Sequence, residues 1–351
     1  MKISDLPEIG VITGKFMPLH NGHIYAIHKA ATQCQKLIVL LSYDDKAINV
    51  LPNHLKSKLG LKNRLLWLKT TFEEFEHIEI RYIDESNIEP YPNGINDWVN
   101  LVNYAIPEDI DVWFSSEPEY GSWVTKYFTE NHVIIDHNRK FNHISATEIR
   151  EDVLKNWENL PSVVRKDFVL KVCVIGTESC GKTTLTKMLS KIYSTSWVEE
   201  YGRTYCENDM CGDESLLTMS DYGLIASRRY ELEKQAEKTA NRLMICDTNA
   251  FITQFYCVLY NGEYNKLVDE YINIEKYDLV LHLESDVEWV DDGLRINDNR
   301  KKTDELMEYM LDHYDIGQHG EQYHKISGSY LERLDKATTL INNLLGEYYE
   351  Q

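Results

Sequence analysis

The sequence predicts an α/β protein with two tandem domains, each built on an open parallel sheet. A short β-branched run, a glycine, a loop and a helical stretch follow one another twice. The first copy is residues 9–13, Gly14 and 23–31; the second is residues 169–175, Gly176 and the stretch from Thr183. An apolar strand feeding a glycine-containing loop and a helix is how such sheets begin. The length, 351 residues, suffices for two or three domains with a core in each.

Strands are expected at 9–13, 37–41, 78–83, 112–114 and 133–135 in the first half. In the second half they are expected at 169–175, 196–198, 243–246 and 279–283, with a long helix from Asp221 to about residue 241. Residues 151–157 read as a terminal helix, which Leu160-Pro161-Ser162 breaks. The expected domains are therefore 1–160 and 161–351.

Lys and Arg number 37 against 57 Asp and Glu, a net charge of −20. That surplus argues against general binding to nucleic acid or anionic lipid, which needs basic residues. It leaves small phosphates open, because a few cations and backbone N–H groups can hold them. No apolar run reaches the ~18–20 residues of a membrane span, and residues 1–8 lack the pattern of a signal peptide. A cytoplasmic protein acting on small molecules is expected, with homo-oligomerisation left open. The seven cysteines are odd in number and scattered, which reads as reduced thiols. Cys206 and Cys211 lack histidines at finger-like spacing, so no structural zinc is expected.

The second loop, Gly176-Thr177-Glu178-Ser179-Cys180-Gly181-Lys182-Thr183-Thr184, fits G-x-x-x-x-G-K-[ST]. Its N–H groups and the helix start would cradle the phosphates of ATP. Lys182 would reach the β- and γ-oxygens, and Thr183 would ligate Mg²⁺. Asp247 follows an apolar strand, where it could meet Mg²⁺ or an acceptor hydroxyl; a helix N-cap is its plainer role. Glu199, Glu200, Tyr201 and Arg203 offer carboxylates for a sugar diol. Trp289, Arg295 and Arg300 offer an aromatic face and cations for a transferring phosphoryl group.

The first loop holds Gly14, Lys15, Phe16, His20, Gly22 and His23. Two histidines three apart at a helix start can donate hydrogen bonds to the phosphates of ATP while an acceptor phosphate attacks the α-phosphorus. Gly22 admits close backbone approach and Lys15 screens the remaining charge. A metal would need further ligands. Some 120 residues on, Ser145 and Glu148 form a capping box, while Thr147 and Arg150 exceed what capping needs and could reach the triphosphate from the opposite wall.

These residues resemble the nucleotidyltransferase superfamily, with its H-x-G-H and I-S-x-T-x-x-R signatures, fused to a P-loop nucleoside kinase. That order is similar to the NadR-type bifunctional nicotinamide-mononucleotide adenylyltransferases and ribosylnicotinamide kinases. The resemblance extends to Tyr91–Gly94, Ser115–Glu117 with Tyr120 and Gly121, and residues 289–295. It implies two Rossmann-like domains, an N-terminal adenylyltransferase and a C-terminal kinase. ATP would serve both sites, with Mg²⁺ as cofactor and NAD as the final product. It also implies that Asp247, Glu199 or Glu200 orients or deprotonates a ribose hydroxyl, and that Trp98, Trp123 or Trp289 stacks on a pyridine ring. The chain departs from the family at Asn249, where an acidic residue is usual. With about eight residues before the first strand, no helix-turn-helix module and no transcriptional control are expected. The rival readings are a fused phosphopantetheine adenylyltransferase and dephospho-coenzyme A kinase, and a non-catalytic sensor of NAD or ATP.

Overall fold

The computed structural model describes residues 3–90, 92–136, 143–286, 300–316 and 322–350. The chain divides into two compact units, Met1–Asp167 and Phe168–Gln351. Each carries one five-stranded parallel sheet.

In the first unit, β1 (Ile9–Gly14), β2 (Lys36–Tyr43), β3 (Ile78–Asp84), β4 (Val112–Ser115) and β5 (His132–Ile134) lie in the order β3-β2-β1-β4-β5. β2 has Leu37 to Leu41 fully buried. Such a continuous apolar run belongs to a strand covered on both faces, as parallel sheets require. The chain leaves β1 for β2 on one side and reaches β4 on the other. The strand ends Gly14 and Ser115 therefore flank the point where connections diverge, the usual ligand crevice of open α/β sheets. Beside it, Trp113 of β4 is fully buried against Trp98, Trp123 and Phe128.

In the second unit, β6 (Leu170–Ile175), β7 (Trp197–Val198), β8 (Leu243–Asp247), β9 (Leu279–Leu283) and β10 (Gln322–Ile326) lie in the order β10-β9-β6-β8-β7. β6 is central, with β8 and β9 on either side, so the loop after Ile175 opens at this sheet's own divergence point.

Two expected helices need correction, and one strand is new. The helix expected over 151–157 ends at Glu151. Asp152 is extended and its carboxylate accepts from the Lys155 N–H at 2.8 Å, a local bond that competes with helix continuation. The long helix spans Met219–Ala236, earlier at both ends than 221–241, because Thr218 and Asp221 form a capping box. β10 was not anticipated: Gln-Tyr-His-Lys-Ile has no apolar run, and as an edge strand it buries only Ile326. Among the described residues, no helix is long and apolar enough to cross a membrane.

The division falls after Asp167 rather than at residue 160. The short helix Ser162–Arg165 buries Val164, and Trp67 Nε1 donates to Asp167 Oδ2 at 2.6 Å. These contacts fasten residues 161–167 to the first unit. A fragment 1–167 should therefore melt several degrees above a fragment 1–160, which loses that burial and a charge-assisted hydrogen bond. Equal melting temperatures by circular dichroism would return the boundary to 160.

Candidate active sites

In the first unit, His20 caps the helix Asn21–Ala31. Its Nδ1 accepts from the Gly22 N–H at 3.1 Å, so the neutral ring carries its proton on Nε2 and can donate from there. The His23 ring stacks on it, centroids 3.7 Å apart, and meets Phe16 edge-on at 5.1 Å. Phe16 packs so close to Gly14 that a Cβ there would lie 3.0 Å from its ring. The two imidazoles thus stand together at a helix start, where free N–H donors favour anions.

Residues distant in sequence meet them. Arg150 Nη1 donates to the Met17 carbonyl at 2.6 Å, and Nη2 donates to Thr147 Oγ1 at 3.0 Å. Lys15, Phe16, His23, Thr147 and Arg150 line one cavity of about 430 Å³. Burial lowers the Arg150 pKa, with Glu151 opposing. Ser145 is spent on its cap: its N–H and hydroxyl both donate to Glu148 Oε2 at 2.7 Å. A larger cavity of about 660 Å³ opens beyond Lys15, lined by Gly14, Asp44, Glu85, Trp98 and Trp123. Lys15 borders both cavities, its ammonium 3.9 Å from Asp44 and from Glu85. A basic, histidine-bearing chamber therefore adjoins one with acidic and aromatic walls.

In the second unit, Gly176 (φ +145°) and Gly181 (φ +87°) bracket the phosphate loop. A Cβ at Gly176 would come within 2.6 Å of the Leu283 carbonyl oxygen, so only glycine fits. Lys182 opens the helix Lys182–Ile192 and donates to the Thr177 carbonyl at 2.8 Å. Thr177 also donates to Asp304 at 3.1 Å, Cys180 is buried with its thiol toward the Thr177 carbonyl, and Glu178 accepts from Tyr260 at 2.9 Å. Ser179 takes a left-handed turn at φ +54°, and Thr184 is exposed.

Thr183 Oγ1 donates to Asp247 Oδ2 at 2.5 Å. Asp247 is fully buried, and among the described residues its Oδ1 has no hydrogen-bond partner. Burial pushes its carboxyl up to about 6. The charge of Glu200 pushes the same way, while Lys182, the Thr183 bond and Arg203 oppose. Asn249 caps the next helix, its Oδ1 accepting from the Ile252 N–H at 3.2 Å. Glu200 and Tyr201 line a small space of about 30 Å³ with Thr248, Tyr222, Tyr256 and Tyr260. Glu199 is exposed and does not line it. Trp289 and Arg295 lie outside the described residues, as does Tyr91; Arg300 opens the helix Arg300–His313.

Two arginines went unread in the sequence. Arg64 is buried and donates to the Lys15 carbonyl at 2.9 Å, its guanidinium 4.9 Å above the Tyr43 ring. Burial lowers its pKa to about 10, against Tyr43, Asp44 and Glu85. Arg333 is also buried. It donates to the carbonyls of Cys180 (2.5 Å), Gly328 (2.8 Å) and Glu284 (2.9 Å), which ties the phosphate loop to the end of β9. Neither has a local signal, because a lone arginine on a helix reads as a solvated side chain.

A family model described as an AAA domain matches residues 171–333. The chain is 34% identical, over 97% of its length and 84% of the relative's, to the trifunctional NAD biosynthesis/regulator protein NadR of Salmonella typhimurium. The crystal structure of a NadR protein in complex with NR superposes with a TM-score of 0.80 at 25% identity, covering 97% of this chain and 96% of that one. A NadR structure in complex with NAD and AMP-PNP gives 0.79 at the same identity and coverage. With this identity along nearly its whole length and the same pair of parallel sheets, the chain belongs to the NadR family.

Proposed function

We propose that the chain is a bifunctional transferase of NAD salvage. Its second unit phosphorylates ribosylnicotinamide with ATP, and its first unit joins the resulting nicotinamide mononucleotide to AMP from ATP. The observation that carries this reading is convergence: His23 meets Thr147 and Arg150, more than 120 residues away, around one cavity, while the same chain bears a complete phosphate loop.

In the kinase reaction the ribose 5′-oxygen bonds to the γ-phosphorus, the bond to the β-phosphate oxygen breaks, and ADP departs. We assign the hydroxyl proton to Glu200, which lines the small tyrosine-walled space. Glu199 is exposed, and the Asp247 carboxylate is engaged by Thr183. Lys182 and the loop N–H groups follow charge onto the leaving ADP. The Thr183 hydroxyl and the unpartnered Asp247 oxygen suit a hard divalent cation, and we assign Mg²⁺ to them. Bound there, the ion would neutralise charge on the β- and γ-phosphates.

In the adenylyl transfer a phosphate oxygen of nicotinamide mononucleotide bonds to the α-phosphorus of ATP and pyrophosphate leaves. The nucleophile is already ionised, so no proton need move. His20 and His23 donate hydrogen bonds, Lys15 and Arg150 screen charge, and the chamber beside Trp98 and Trp123 takes the nicotinamide nucleotide. One coupled assay tests both halves: ribosylnicotinamide with Mg²⁺ and ATP should yield nicotinamide mononucleotide, then NAD.

His23→Ala should slow NAD formation from nicotinamide mononucleotide by about 10²–10³, the scale for loss of one preorganised donor, and spare ribosylnicotinamide phosphorylation. Equal damage to both activities would indicate misfolding instead. Lys182→Ala should reverse the pattern. Kinase turnover should fall at least ~10²-fold, while NAD formation from supplied mononucleotide keeps the parent rate. Normal conversion of ribosylnicotinamide by this variant would remove the phosphate loop from the kinase site.

A third expectation follows from Asp247, whose folded carboxyl titrates near 6 against an ordinary value of 3.8. Between those values the folded chain holds a proton that the unfolded chain has released. Stability from this group therefore declines as pH rises through about 4 to 6 and stays lost above. Asp247→Asn should raise the melting temperature of the metal-free protein at pH 7.5, by up to about 3 kcal/mol in stability, with the gain vanishing near pH 4. The same variant should lose kinase activity. A melting temperature that falls at pH 7.5 would contradict the buried-charge cost.

A further inference from the structure

Behind the turn that carries Asp247 lies a buried polar network that phosphoryl transfer does not itself require. Thr248 is buried and takes φ +68°, a left-handed conformation that a β-branched residue rarely adopts. Such a conformation persists only where its surroundings hold it. The Thr248 N–H donates to the Val174 carbonyl at 2.9 Å, and its own carbonyl accepts from Arg229 Nη1 and Cys173 Sγ, each at 3.3 Å.

Arg229 is 1% exposed. Its Nη2 donates to Tyr277 Oη at 2.7 Å, to Glu233 Oε2 at 3.0 Å and to Glu275. Glu275 Oε2 in turn accepts the N–H of Ala250 at 2.9 Å, the first residue of the helix Ala250–Asn261. One guanidinium therefore grips the turn on both flanks, at the Thr248 carbonyl directly and at the Ala250 N–H through Glu275. Lys171 of β6 donates to Glu233 at 2.7 Å and anchors the network to the central strand. Buried ion networks seldom add net stability over well-packed apolar side chains. What this one supplies is a fixed geometry at the turn that presents Asp247 to Thr183.

We propose that Arg229 is a positioning residue of the nucleotide site: it holds the left-handed Thr248 turn so that the Asp247 carboxylate stays facing the Thr183 hydroxyl, where a divalent cation is taken up with the nucleotide. This rests on the kinase reading of residues 168–351 and makes no use of the acceptor. Arginine is required because a lysine at 229 has one ammonium and cannot reach Thr248 and Glu275 at once.

The test is ADP affinity of the full chain by calorimetry, with Mg²⁺ and with EDTA. In the parent, Mg²⁺ tightens ADP binding. Arg229→Lys should lose at least tenfold of that metal-dependent gain, with affinity in EDTA within twofold of parent. Asp247→Asn should lose as much, and the double variant no more, since Arg229 acts through Asp247. Tyr277→Phe, a milder change in the same network, should lose about threefold in the same sense and carries the test if Arg229→Lys does not fold. Equal weakening with and without metal, additive losses, an unchanged gain in both network variants, or no metal-dependent gain in the parent overturns the proposal. Ribosylnicotinamide phosphorylation, followed alongside, separates the two readings. A parent that binds Mg²⁺ and ADP as expected but transfers nothing to ribosylnicotinamide refutes the kinase assignment and leaves the positioning result standing.

Discussion

A parallel sheet delivers the C-terminal ends of all its strands to one edge, and both units of this chain place their charged chemistry there. At that edge helices begin, backbone N–H groups lack partners, and anions are favoured. In the first unit the edge holds His20, His23 and Lys15 after β1. In the second it holds the phosphate loop after β6 and Asp247 at the end of β8. The glycines, the caps and the braces from distant helices all serve to keep charge at an edge that the strands alone would leave exposed.

The two edges are built differently. The first stacks two imidazoles, braced by Phe16, and adds an arginine from a distant helix, so its donors belong to the chain itself. The second buries a carboxylate beside a lysine and leaves one of its oxygens unpartnered among the described residues. The second arrangement costs stability in the metal-free protein, because the charged carboxylate has left water.

Both edges are stiffened from behind by buried guanidinium groups. Arg64 holds the Lys15 carbonyl, Arg333 the Cys180 carbonyl and Arg229 the Thr248 carbonyl. In each case a planar, permanently charged donor reaches a loop carbonyl that no strand partner satisfies. The site loops are thereby set without lengthening the strands.

The motifs were legible because their chemistry is local. A phosphate loop needs its glycines, lysine and threonine within eight residues, and two histidines at a helix start need four. The central strands were legible too, since burial on both faces leaves an unbroken apolar run, as in Leu37–Leu41 of β2 and Val172–Ile175 of β6. β10 was not, because an edge strand half-exposed to water carries no such run, and the expected helix over 151–157 gave way to a single carboxylate bond at Asp152. The sequence by itself determined which residues make up the phosphate-loop pattern and the histidine pair. Only the tertiary structure decided that Glu200 rather than Glu199 borders the tyrosine-walled space, that Asp247 is desolvated, and that Arg64, Arg229 and Arg333 are interior. The reason is physical: solvent access and long-range carbonyl contacts depend on elements 19 to 153 residues away, and no local pattern encodes them.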